Sequence, residues 1–166
     1  PTLKPYEKGS IAQTGIGQSS ILATPMEMAL VSSTIANGGK MMEPTLVSKV
    51  IDKDGNTVKT VEPKMLNQVI SANNAAIVKD YMKNLVDSKI DDTWSYFGGT
   101  DAAGKTGTAD YNLSDGTPAK PHSWFIGFAP ASNPQIAVAV IVENGGYGAV
   151  AAARVAGSVI RTAVLK

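Results

Sequence analysis

The spacing of apolar and polar positions changes period several times along this chain, and each change marks an element. Thr24-Pro25-Met26-Glu27 opens a helix: Thr24 can cap it, Pro25 suits the first helical position, and Glu27 completes a capping box. The helix is expected to run to about Ala36, where Asn37-Gly38-Gly39 tolerates a left-handed stop. Residues 45–61 alternate apolar and polar positions on either side of Asp54-Gly55, which predicts a hairpin. Residues 74–87 return to a helical period. Ile77, Tyr81 and Leu85 recur at four-residue steps, Val78 and Met82 lie beside them, and Ser71 or Asn73 can cap the helix.

Residues 88–102, with Trp94, Tyr96 and Phe97, read as a loop. Three stretches then carry the β-branched, aromatic and Gly/Thr-rich signature of strands: GKTGTAD at about 103–110, HSWFIGFAP from His122, and QIAVAVIVE from Gln135. Their short separations suit consecutive antiparallel strands. A helix closes the chain at about 149–164. Its small face, Val150, Ala153, Ala156 and Ile160, can lie close on a sheet. The order of elements is that of an α+β fold built on an antiparallel sheet.

Composition narrows the chemistry. The chain has 166 residues, 43% of them hydrophobic, enough for one domain or a large piece of one. A net charge of +1 and few aromatics give no footing for nucleic acid. There is no cysteine and a single histidine, His122, so neither thiolate chemistry nor a His-rich metal site is expected, and no cofactor is implied. Asp52-Lys53-Asp54-Gly55-Asn56 has the letters of a calcium loop, but its glycine comes too early and no glutamate follows at the right distance. The longest apolar run, residues 136–142, falls far short of the roughly 20 residues a membrane span needs. The chain begins with Pro1 and is expected to be a piece of a longer polypeptide.

The chemistry concentrates in GGTDAAGKTGTAD, residues 98–110. Gly99, Gly104, Lys105 and Thr106 fit the phosphate-loop pattern, and the same letters contain Lys105-Thr106-Gly107, a signature of penicillin-recognising enzymes. A phosphate loop needs a buried parallel strand before its first glycine and a helix starting at its lysine. The residues before Gly98 are polar, and after Lys105 come Gly107, Gly116, Pro118 and Pro121, through which no helical period runs. A Lys-Thr-Gly strand has other uses. Gly107 lets a ligand backbone approach the strand edge, threonine hydroxyls can bind a carboxylate, and a strand N–H can serve an oxyanion hole.

The flanking stretches favour the second reading. Gly15-Ile16-Gly17-Gln18 with Thr24-Pro25 and Ala29, Ala36-Asn37-Gly38-Gly39 with Pro44, then AAGKTGTAD, HSWFIGFAP and IAVAVIVENG occur in one order. From about Gly15 onward the chain resembles the C-terminal part of a penicillin-binding protein transpeptidase domain, most closely the class B enzymes that cross-link peptidoglycan. That resemblance implies an antiparallel sheet with helices on both faces, the last helix packed across one of them. It implies a serine D,D-transpeptidase that takes D-Ala-D-Ala stem peptides and is acylated by β-lactams. It places the activity at the extracytoplasmic face of a bacterial membrane, anchored by a segment outside this chain. Lys105 would be the signature lysine, Thr106 and Thr108 would bind the substrate carboxylate, Gly107 would permit close approach, and the Thr108 N–H would supply half the oxyanion hole. Trp124 and Phe128 read as core. Trp94 and Tyr96 read either as rim of the cleft or as surface packing. His122 reads as structural.

The family's nucleophile lies in Ser-x-x-Lys, and no serine here has a lysine three residues on. Ser71-Ala72-Asn73 matches the second motif, Ser-x-Asn, by letters, but it falls at a predicted helix start and reads as a cap. Both motifs are expected in an N-terminal part of the same domain, so this chain alone should not be acylated. The strand at 136–143 is expected to pair with that part, since an unpaired apolar strand invites aggregation. Two other functions share the motifs: a β-lactam sensor that stays acylated, and a β-lactamase, which by resemblance lacks the long interval between residues 40 and 88.

Overall fold

The computed structural model describes residues 8–165, and the sequence-based boundaries at residues 1–7 and 166 lie outside the described residues. A short helix α1 (Lys8–Thr14) leads to α2 (Pro25–Ala36), whose start follows from its local chemistry. The Glu27 N–H donates to Thr24 Oγ1 (3.2 Å), and the Thr24 N–H donates to Glu27 Oε2 (2.7 Å). Hydrogen bonds from the Thr24 backbone and then its side chain hold the Glu27 carboxyl below its ordinary value.

The centre is a three-stranded antiparallel sheet, β5 (Ala103–Ala109), β6 (His122–Ala129) and β7 (Ile136–Val142), in that spatial order. Alternation along β6 splits its side chains between two layers. Phe125 and Ala129 join Val138 of β7 in packing against Ala152, Ala153, Ala156 and Ile160 of α4 (Ala151–Val164). Phe128 and Ala103 form a second cluster, which Ile126 and Ala137 join from the sheet and Ile35 and Ala36 from α2. Helices thus cover both faces. Fully buried Ser32 of α2 donates its hydroxyl to the Gly127 carbonyl (2.8 Å), tying helix to sheet.

The helix α3 (Ala72–Ile90) flanks β5, with Met82 in the second cluster and Val86 in the first. Its buried residues are Ala75, Met82 and Val86, whereas Tyr81 is 70% exposed and Ile77 and Val78 are exposed as well. The sequence carries two apolar stripes on this helix; of the one centred on Tyr81, Leu85 packs against the first cluster while Ile77 and Tyr81 are exposed. Ser71 caps the helix by accepting the Asn74 N–H (3.2 Å). Similarly, Val150 is exposed because α4 begins one residue later, and its sheet-facing stripe starts at Ala152.

Trp94, expected at the rim of the cleft or on the surface, is a core residue, as is Phe97, and Tyr96 packs half-buried against the same cluster. Phe97 stacks on Phe125 (centroids 5.4 Å apart), and Trp94 meets Phe125 edge-on (5.9 Å). The indole N–H of Trp94 donates to the Ala149 carbonyl (2.9 Å). Tyr96 lies over Gly157, where an added methyl would stand 2.3 Å from its ring.

Between α2 and α3 the chain makes two ribbons. β1 (Lys40–Met42) pairs with β4 (Met65–Gln68), and β2 (Lys49–Ile51) pairs with β3 (Thr57–Thr60). Every residue of β2 and β3 is exposed. The Asp52 carboxylate closes their turn by accepting the N–H groups of Asp54 and Asn56, each at 2.9 Å.

Candidate active site

Lys105, Thr106, Gly107 and Thr108 lie within β5, which pairs with β6 on one side and, among the described residues, presents its other edge unpaired. The register sets Lys105 opposite Ile126 and Gly107 opposite Trp124, so these share the α2 side of the sheet. Thr106 and Thr108 take the other side, opposite Phe125 and Ser123. An added methyl at Gly107 would stand 3.1 Å from Trp124 Cβ, so this position is crowded from beneath.

The open edge faces a cleft of about 290 Å³. Lys105 through Ala109, Trp124 and Ile126 form one wall; Ile16, Gly17, Gln18, Ile21, Ala23 and Met28 face them. Trp124, expected in the core, is half-buried and lines this cleft. Lys105 is the one charged residue among the described residues that line it, so the cleft favours an anion.

The backbone of β5 shows which groups look into the cleft. The Lys105 ammonium donates to the Thr106 carbonyl (2.7 Å), and the Gln18 side-chain amide donates to the Thr108 carbonyl (2.9 Å). Both carbonyls therefore point away from β6. In an extended strand the N–H of a residue points to the same edge as its C=O, so the N–H groups of Thr106 and Thr108 also face the cleft. The two N–H groups stand one two-residue step apart, about 6.6 Å, so each can meet a different ligand atom. With the Lys105 cation beside them, one suits a carboxylate or a developing oxyanion and the other a ligand carbonyl. Gln18 had no assigned role in the sequence. It sits outside any periodic segment, and only the Gly-Ile-Gly-Gln spelling singled the stretch out.

The entry to β5 is fixed by charge. Asp101, with φ of 49°, accepts from the Ser132 N–H (2.9 Å) and hydroxyl (2.8 Å), and from Lys83 Nζ of α3 (2.9 Å). Burial would raise the Asp101 carboxyl, but the bonds from Ser132 and Lys83 outweigh it and hold the carboxyl below its ordinary value. The Asp101 bond in turn raises Lys83. At the far end, His122 stacks on Tyr111 (4.5 Å between centroids), and its Nδ1 accepts the Asn144 N–H (3.1 Å).

The structure removes the phosphate-loop reading. Lys105 is mid-strand, and the next element is the antiparallel neighbour β6, so no helix N-terminus stands at the lysine. Gly104 is a packing glycine: a methyl there would lie 2.1 Å from Phe125 Cζ. No group of three or more His, Cys, Asp or Glu among the described residues is placed to hold a metal.

An antiparallel sheet covered on both faces, with a Lys-Thr-Gly edge opening on a cationic cleft, defines a penicillin-recognising fold. The family model for the penicillin binding protein transpeptidase domain matches residues 3–161, and the chain belongs to that family. Among its relatives is the peptidoglycan D,D-transpeptidase PbpA of Mycolicibacterium smegmatis, 36% identical over 140 residues, which cover 84% of this chain and 28% of the relative. The peptidoglycan D,D-transpeptidase MrdA of Escherichia coli K12 is 31% identical over 87% of this chain and 25% of its own length. Among solved structures, the ceftriaxone acyl-enzyme complex of penicillin-binding protein A from M. tuberculosis superposes with a TM-score of 0.83 at 34% identity, over 94% of this chain and 35% of that one. The chain thus spans about a quarter of the length of the curated relatives it matches.

Proposed function

We propose that this chain supplies the Lys-Thr-Gly side of a serine D,D-transpeptidase site that cross-links peptidoglycan stem peptides outside the cytoplasmic membrane. The observation that carries this is the open edge of β5, where Lys105 and the outward backbone of Thr106 and Thr108 face one cleft. A D-Ala-D-Ala terminus suits it. The peptide can lie along the strand edge over Gly107, its carboxylate meeting Lys105 and the hydroxyls of Thr106 and Thr108. The Thr108 N–H then stands where a carbonyl oxygen gathers charge. The nucleophile is a serine from a Ser-x-x-Lys segment, which residues 1–166 do not contain. The serine attacks the carbonyl of the D-Ala–D-Ala bond and forms an ester with the stem peptide, while that bond breaks and the terminal D-Ala leaves as the protonated amine. In a second step an acceptor amine attacks the ester, forms the new amide and returns the serine hydroxyl. β-Lactams enter by the same first step. That the relatives bear the name D,D-transpeptidase, and that the structural neighbour forms a ceftriaxone acyl-enzyme, support the reading.

The test is labelling of the full-length protein with fluorescent penicillin, followed by addition of an amine acceptor. A covalent adduct is expected, transferable to the amine. Lys105→Ala is expected to slow its formation by about 10²–10³-fold, the scale of losing one preorganised electrostatic contact. No adduct on the wild-type protein would falsify the proposal. An adduct inert to amine and water would mark a sensor, and rapid β-lactam turnover would mark a β-lactamase. Residues 1–166 alone are expected to remain unlabelled.

A further inference from the structure

Ahead of α4 the chain turns sharply onto the back of the site strand, and one residue there touches its backbone. A methyl added to Gly148 would meet Gly107 O at 2.3 Å, Trp124 O at 2.6 Å and Gly107 N at 3.0 Å. All three are backbone atoms in the middle of the β5–β6 ladder, so no side chain can yield. The Gly148 N–H donates to Thr108 Oγ1 (3.3 Å). The surrounding segment is fastened independently. Fully buried Ser123, the register partner of Thr108, donates its hydroxyl to the Tyr147 carbonyl (3.1 Å) and accepts the Ala152 N–H from the first turn of α4 (2.9 Å). The Gly148 carbonyl accepts the Ala153 N–H (3.1 Å).

We infer that Gly148 is a positioning residue for the transpeptidase site, presenting the Thr108 hydroxyl to the substrate carboxylate as a donor. A threonine hydroxyl has one proton and two lone pairs. A backbone N–H bonded to the oxygen occupies one lone pair and keeps the proton from pointing at Gly148, leaving it free to reach round the strand edge to the cleft that Thr108 lines. The donated bond also polarises the hydroxyl, which strengthens its own donation to an anion. Because Gly148 carries no side chain, its main chain can reach the ladder and make this bond. Ser123 and α4 hold it there. Sequence order hides the device, since Gly148 follows Thr108 by 40 residues. The inference rests on the proposed function, because it needs a carboxylate ligand in the cleft.

The experiment compares two acylating probes on the full-length protein: benzylpenicillin, and its methyl ester, which lacks the charged carboxylate. The informative variant replaces the peptide N–H of Gly148 by an ester oxygen, which removes the donor and adds no atom. It is expected to acylate at least about tenfold more slowly with benzylpenicillin, the scale of one hydrogen bond to a charged group, while the methyl-ester rate moves by less than about twofold. Thr108→Val is expected to show the same probe-selective loss, and combining it with the backbone ester to add little. Thr108→Ser, which keeps the hydroxyl, should retain selectivity for benzylpenicillin. Gly148→Ala, which displaces the ladder itself, should slow both probes; if it does not fold, the backbone ester still decides the matter. Equal slowing of both probes by the ester variant, or a wild-type rate, overturns the inference and leaves the proposed function standing. An unlabelled wild-type protein overturns both.

Discussion

Gly104 precedes the signature lysine, and its role can be read from a double-mutant cycle with Phe125. In Gly104→Ala the new methyl stands 2.1 Å from Phe125 Cζ and 2.9 Å from both Cε atoms, far inside contact distance. Phe125 cannot swing aside, because it is fully buried between Trp94 and Phe97. Overpacking of this kind costs about 1–3 kcal/mol. Phe125→Leu removes the Cε and Cζ atoms that the methyl strikes. In that background the same Gly104→Ala change should cost close to nothing, or regain up to about 0.8 kcal/mol by burying one carbon in the space left. The expected coupling is therefore about 1–3 kcal/mol, favouring the double mutant over the sum of the single changes. Urea unfolding of the four proteins, followed by the fluorescence of Trp94 and Trp124 together, measures it. Additivity within about 0.5 kcal/mol would show that Gly104 is required by its backbone or by a ligand, not by the ring, and would refute the packing argument.

Two further outcomes follow from local bonds. Asp101 has a folded pKa below its unfolded value, so its contribution to stability is present above the ordinary carboxylate pKa and is lost as pH falls through the lowered one. Melting temperature recorded from pH 5 to pH 2 should therefore fall less steeply in Asp101→Asn than in wild type; parallel curves would remove Asp101 from the acid response. Thr24→Ala removes the hydroxyl that accepts the Glu27 N–H and donates to Glu27 Oε2, leaves the backbone N–H bond to Glu27 in place, and should cost about 1 kcal/mol in chemical denaturation. A loss below about 0.3 kcal/mol would mean the cap does not hold the helix.

What the sequence discloses here depends on how local the deciding interaction is. The start of α2 is readable because Thr24 and Glu27 satisfy each other within one turn. The antiparallel sheet is readable because its strands are consecutive and alternate in step with the pleat. The buried face of α3 is not, since Tyr81 and Met82 begin two plausible apolar stripes and only the position of β5 chooses between them. Trp94 has the same difficulty: its burial depends on Phe125 and Ala149, both distant in sequence. At the site, the letters Lys-Thr-Gly mark the strand, but the wall opposite them, Ile16 to Met28, has no period at all before Pro25. Trp124 alternates as a core residue would and lines the cleft because β5 is the edge of the sheet among the described residues.

The β2–β3 ribbon buries none of its own residues, while β1 and β4 bring its two ends together at the base. Closing a longer or shorter loop over such a clamp changes the free energy only slowly with length. The segment from Glu43 to Lys64, whose end residues are joined by a salt bridge of 2.7 Å, is therefore a module whose size and sequence can drift without disturbing β5. Selection for a new recognition surface, or an engineer inserting a reporter at Asp54-Gly55, has there a place to work that the cleft does not feel.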